Sequence, residues 1–115
     1  LICATGPLAY NAIMAAKELD SHHNKKVVVI NFHTIKPFDE YTLVKFAKHA
    51  AKVITVEEHQ IAGGFGGAVC EVLSEKCPRP VKRIGIQDRF GQSGTPTELM
   101  KEYRLTAEDI VCIAK

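Results

Sequence analysis

The stretch Val53-Ile54-Thr55-Val56-Glu57-Glu58-His59-Gln60-Ile61-Ala62-Gly63-Gly64-Phe65-Gly66-Gly67-Ala68-Val69-Cys70-Glu71-Val72-Leu73 contains one whole structural unit. Val53–Glu57 is a short run rich in β-branched residues, the composition that fits a pleated, buried strand. A polar step and a glycine-rich turn follow. Ala68, Val69, Val72 and Leu73 then recur at the spacing of one helix face. Strand, turn and helix in that order form half of a parallel crossover.

The same unit repeats outward in both directions. Leu1–Thr5, Lys26–Phe32 and Val81–Ile86 are further short apolar runs. Between them, Leu8, Ala12, Ala15, Ala16 and Leu19 follow a helical spacing, as do Leu43, Phe46, Ala47 and Ala50. Val27-Val28-Val29-Ile30 lacks period-two alternation, as expected of a parallel strand covered on both faces. Strands alternating with helices predict an α/β domain with a parallel sheet between helical layers.

Helix starts are marked by capping residues. Asp39 caps a helix whose flanking Phe38 and Leu43 form a hydrophobic staple. Thr95-Pro96-Thr97-Glu98 is a capping box with Pro at the first helical position. Thr106-Ala107-Glu108-Asp109 repeats the device, with Leu105 and Ile110 as its staple. The ten-residue stretch Gly85 to Gly94 is longer than the usual strand-to-helix connection of about 2–6 residues. At the carboxyl edge of a parallel sheet, such a loop is where ligands or partners are met.

Composition excludes several function classes. The 115 residues are 46% hydrophobic and 24% charged, an ordinary balance for one globular domain and too apolar for a disordered chain. Fifteen basic and 13 acidic residues are interspersed, so the net charge of +2 provides no concentrated face for nucleic acid. No apolar run reaches the roughly 20 residues that a membrane span needs. Cys3, Cys70, Cys77 and Cys112 lack the paired spacing of a zinc site and read as buried, reduced thiols. With no secretory leader at Leu1–Tyr10, the expected location is the cytoplasm. An apolar strand that starts at residue 1 points to a piece of a larger protein.

Three clusters invite chemistry. Gly63-Gly64-Phe65-Gly66-Gly67 suggests dinucleotide binding, yet counting from Gly64 and Gly66 puts Val69 where the third glycine belongs. The strand's expected end near Glu57 is also too early for a pyrophosphate turn. A close-packed helix entrance is the simpler reading, with amides able to hold an anion weakly. Glu57-Glu58-His59 places carboxylates beside an imidazole, a pairing suited to acid–base work. As a polar strand end, the same residues satisfy loop backbone groups or face a neighbouring domain. His33 belongs to the same edge, whereas His22-His23-Asn24-Lys25-Lys26 reads as a solvated turn and His49 as a helix-end residue. Arg89 can grip a phosphate or carboxylate bidentately, or pair with Asp88 or a partner chain.

Phe32-His33-Thr34-Ile35-Lys36-Pro37-Phe38-Asp39 resembles a segment of transketolase carboxy-terminal domains. Val56–Gly66 is similar to their strand-to-helix turn, and Lys82–Gly94 to the strand and loop that follow. Glu98-Leu99-Met100 and Leu105–Ile110 match the ending, so the likeness runs along essentially the whole chain. It is strongest toward the carboxy-terminal part of transketolases encoded as two subunits, the bacterial or archaeal type. The corresponding domain of deoxyxylulose-phosphate synthase shares the Gly-Gly-Phe-Gly turn and the Asp-Arg-Phe loop. Arg104 stands where the resembling domains often have Gly.

The resemblance implies a three-layer α/β/α domain with a mainly parallel sheet in the order 2-1-3-4. A preceding antiparallel strand would be missing, in keeping with a truncated start over residues 1–115. It also implies a parent enzyme that uses thiamine diphosphate and a magnesium ion to move two-carbon ketol units between sugar phosphates. Those groups belong to the pyrophosphate- and pyrimidine-binding domains, in the same chain or a partner subunit. The Gly-Asp-Gly motif of the metal site is absent from this sequence, so this domain is expected to bind no cofactor and to be inactive alone. It would support a homodimer of the parent. Glu57, Glu58, His59, Gly63, Gly64, Phe65, Gly66, Asp88 and Arg89 are the expected interface or ligand rim at the carboxyl edge. A free-standing flavodoxin-like binding module remains the reading from another class.

Overall fold

A computed structural model describes residues 1–33, 38–60, 64–86, 101 and 105–115. The capping box at Thr95, Arg104 and most of the Gly85–Gly94 loop lie outside these residues.

Four strands, β1 (Ile2–Ala4), β2 (Val29–Asn31), β3 (Val53–Gln60) and β4 (Val81–Ile86), form one sheet in the order β2-β1-β3-β4. Every pairing is parallel, with Ile2 opposite Val29 and Ile54, and Val53 opposite Val81. Parallel neighbours need crossovers, and the helices α1 (Leu8–His23), α2 (Glu40–Ala47) and α3 (Phe65–Lys76) supply them. A further helix, α4 (Ala107–Ala114), packs beside α1.

Successive strand residues point to opposite faces, so each strand feeds two cores. Ile2, Ala4, Ile54, Val56 and Ile84 meet Leu8, Ala12, Ala15 and Leu19 of α1 and Ile110 of α4. On the other face, Cys3 and Val53 meet Leu43 and Ala47 of α2 and Val69, Val72 and Leu73 of α3. Helices therefore cover both sides, giving three layers. The second core is the aromatic one. Phe32 stacks on Phe38 at 5.0 Å between ring centroids, and Phe65 tilts against both at 5.5 and 6.2 Å. Each such pair contributes about 0.5–1.5 kcal/mol beyond its buried area.

Two of the three expected caps fall within the described residues, and both form where the sequence places them. Asp39 accepts the Thr42 amide, and Thr106 and Asp109 form a reciprocal box. The strand limits differ more. β1 and β2 are shorter than the apolar runs that contain them, whereas β3 continues three residues past Glu57. That extension crosses a register shift between Val56 and Gln60, beyond which Gln60 pairs with Ile86 of β4. Helix α1 runs through His22 and His23, so the expected turn begins only at Asn24, in the left-handed region at φ 53°. Asn24 and Lys25 close the helix by donating to the Leu19 carbonyl. The thiols also divide. Cys3 and Cys77 are buried, Cys70 is partly covered and Cys112 is exposed, contrary to a uniformly buried set. Burial pushes the Cys3 thiol up to about 12. No helix among the described residues is long and apolar enough to cross a membrane.

Candidate functional site

The carboxyl ends of β1 and β2 are tied to the middle of β3 by one residue. Thr5 donates its amide to the Val56 carbonyl at 3.3 Å and its hydroxyl to the Phe32 carbonyl at 3.0 Å. This fixes the edge on which the connections to α1 and α3 are built. Gly6, at φ 66°, then turns the chain into α1 in a conformation that strains other residues.

The most structured part of the edge is the entrance to α3. Gly64 is the N-cap in an extended conformation and has no side chain with which to cap. An α-helix begins with backbone N–H groups that have no partner within the helix. Here a residue of the neighbouring strand supplies the acceptors. One oxygen of Glu57 accepts the Phe65 amide at 3.0 Å, and the other accepts the Gly66 amide at 2.5 Å. Glu57 is only 1% exposed, so these are buried, charge-assisted bonds at the positive end of the helix dipole.

Thr55, two residues before Glu57, lies beneath the same helix start. A Cβ built on Gly66 would stand 2.7 Å from the Thr55 hydroxyl oxygen and 3.1 Å from Cδ of Arg83. Arg83 is the register partner of Thr55 on β4, and its aliphatic stem fills the other side of this contact. Only glycine at 66 lets the helix come this close to the sheet. The Thr55 hydroxyl is fully buried and has no hydrogen-bond partner among the described residues.

The expected rim is thus split. Glu58 is exposed on β3, and Gly64 is half-buried at the cap. Glu57, Phe65 and Gly66 are buried within this chain and offer no surface. Burial follows from their work as cap, core ring and close-approach glycine. Gly63, Asp88, Arg89 and the imidazole of His59 lie outside the described residues. His33 is exposed beyond the end of β2, and no group of three metal-ligating side chains occurs among the described residues. Thr5, Thr55 and Arg83 were not singled out by the sequence. Period-two spacing back from Glu57 is the signal that could have found Thr55.

Glycine-rich helix entrances bind phosphates through the amides that Glu57 engages here. A cofactor diphosphate or sugar phosphate at this turn would compete with a buried carboxylate for the same two donors. The residues at this turn therefore do not fit a thiamine diphosphate.

Comparisons with known proteins bear on this geometry. A family model described as "Transketolase, C-terminal domain" matches residues 1–110. The chain is similar to a 6-deoxy-6-sulfo-D-fructose transketolase subunit of Clostridium sp. (strain MSTE9). The two are 40% identical over 110 residues, covering 96% of this chain and 34% of that protein. It is 36% identical over 115 residues to a 1-deoxy-D-xylulose-5-phosphate synthase of Heliobacterium modesticaldum, covering 99% of this chain and 18% of the synthase. A solved structure titled "Split gene transketolase, inactive beta4 tetramer" superposes with a TM-score of 0.91 at 42% identity. That match covers 96% of this chain and 36% of the solved one. The chain thus spans about a third or less of the length of these proteins.

Proposed function

The chain belongs to the transketolase C-terminal domain family, and from that membership we propose that it serves as the non-catalytic domain of a ketol-transferring enzyme. The parent moves two-carbon units between sugar phosphates in the cytoplasm, and this domain supports its assembly as a dimer. Thiamine diphosphate and a magnesium ion sit on the pyrophosphate- and pyrimidine-binding domains, in the same polypeptide or in a partner subunit. When bound there, the cofactor supplies the carbon nucleophile for ketol transfer.

One observation carries this reading. The Glu57 carboxylate, the most reactive-looking group of the chain, is buried and engaged by the amides of Phe65 and Gly66. With both oxygens taken by backbone amides and the side chain shut away from solvent, this carboxylate has no free face to offer a substrate. The glycine turn, for its part, has its anion-binding amides filled from within. Both features suit a domain that organises an edge.

Capture of the native parent from cell extract, with an antibody to this domain, tests the proposal. The captured protein is assayed with thiamine diphosphate and magnesium for ketol transfer between sugar phosphates, and the isolated chain is assayed beside it. Activity in the captured protein alone is expected, and ketol transfer by the isolated chain would overturn the non-catalytic assignment. The masses recovered distinguish one polypeptide from two subunits. Similarity to a deoxyxylulose-phosphate synthase over 99% of the chain favours a second reading, in which the parent condenses pyruvate with glyceraldehyde phosphate. Parallel assay of that condensation decides between them. A small captured protein that binds a flavin unaided would revive the free-standing module.

A further inference from the structure

We propose that the entrance of α3 is a carboxylate-binding site that the chain fills with its own Glu57, which thereby acts as the positioning residue of the carboxyl edge. This goes beyond the proposed function and does not depend on which reaction the parent catalyses.

The donors and the acceptor match one to one. Phe65 and Gly66 each present one amide, and each meets a different oxygen of Glu57. A planar carboxylate has two such oxygens, whereas a tetrahedral phosphate would bring further charged oxygens to the same two donors. A side chain on Gly66 would meet the Thr55 hydroxyl and the Arg83 stem, so the helix start lies close on the sheet here. The Thr55 hydroxyl stands at this point, fully buried and without a partner among the described residues, which adds a polar group at the same entrance. Glu57 lies on β3 and its donors lie on α3, so the bond holds two elements in one relation across the intervening turn. Glu58 follows directly on the strand and is exposed, and its placement on the edge depends on that relation.

The inference is specific enough to be tested by replacing the ligand. Glu57→Ala removes a methylene and a carboxylate, the heavy-atom complement of one acetate ion. Hydrogen exchange in the parent enzyme, read on a peptide covering residues 64–69, reports the two amides directly. Exchange there is expected to rise about tenfold or more in Glu57→Ala, as befits the loss of bonds to a charged group. Added acetate is expected to restore the protection, with phosphate or chloride at equal ionic strength leaving it lost. Equal restoration by phosphate, or none by acetate in a folded variant, overturns the proposal. If Glu57→Ala yields no assembled enzyme, Glu57→Gln keeps the shape and carries the test. Protection at residues 64–69 should then fall about tenfold, with α1 amides unchanged. Unchanged protection at 64–69, or loss throughout the chain, overturns it. Assaying the same variants for ketol transfer keeps this outcome separate from the identity of the parent reaction.

Discussion

Helices α3 and α4 face the same requirement at their first turns and meet it from different distances. In α4 the cap is local. The Asp109 amide donates to the Thr106 hydroxyl at 3.3 Å, and the Thr106 amide donates back to the Asp109 carboxylate at 3.0 Å. All the partners lie within one turn, and the box forms as the helix does. In α3 the acceptor sits on another element, eight and nine residues back in the chain, and is buried. A local cap stabilises a helix. The remote one also fixes where the helix stands on the sheet.

The largest expected effect comes from breaking the remote cap. Glu57→Ala leaves two buried amides without acceptors and opens a cavity, so it should cost about 3 kcal/mol. A urea unfolding midpoint would register the loss, and a cost no larger than that of a local cap would erase the contrast. Gly66→Ala comes next. Its methyl would press on the Thr55 hydroxyl at 2.7 Å. Overpacking of this kind costs about 1–3 kcal/mol, more than the helix gains from alanine. Adding Thr55→Ala should recover part of that loss, and strict additivity in the double-mutant cycle would argue against the contact.

Breaking the local cap should matter less. Thr106→Ala is expected to lower stability by about 1 kcal/mol, measured by the same unfolding midpoint. Asp39, which caps α2, gives the smallest effect and shows it through pH. The Thr42 hydroxyl and amide hold its carboxyl below the usual carboxylate range. A carboxyl lowered on folding stabilises above its unfolded value and loses that contribution as pH falls through its folded one. Asp39→Asn should therefore flatten the acid limb of stability slightly, since the group is exposed and screened. An acid limb steeper than wild type would count against this cap.

The same contrast explains what could be read from the sequence. Asp39 and Thr106 were legible because a local cap is written in adjacent residues, and β4 was placed correctly by its apolar run. The limits of β3 were not legible. Glu57, Glu58 and His59 look like the polar end of a strand, yet they span a register shift beyond which Gln60 pairs with Ile86 of β4. The burial of Glu57 is a tertiary fact, created only when α3 folds over the strand end. Gly66 was visible as a close-packing glycine, but its neighbours Thr55 and Arg83 were not. The strand order was implied by family likeness, because periodicity alone does not say which parallel strands are neighbours.

The filled entrance of α3 has a consequence for how such a domain can change over generations. A glutamate codon lies one nucleotide from an alanine or a glycine codon. A substitution there would trade stability for two freed amide donors beside a buried hydroxyl. The scaffold thus holds a latent binding function behind a single side chain, and the stability margin of the fold sets whether a lineage can reach it.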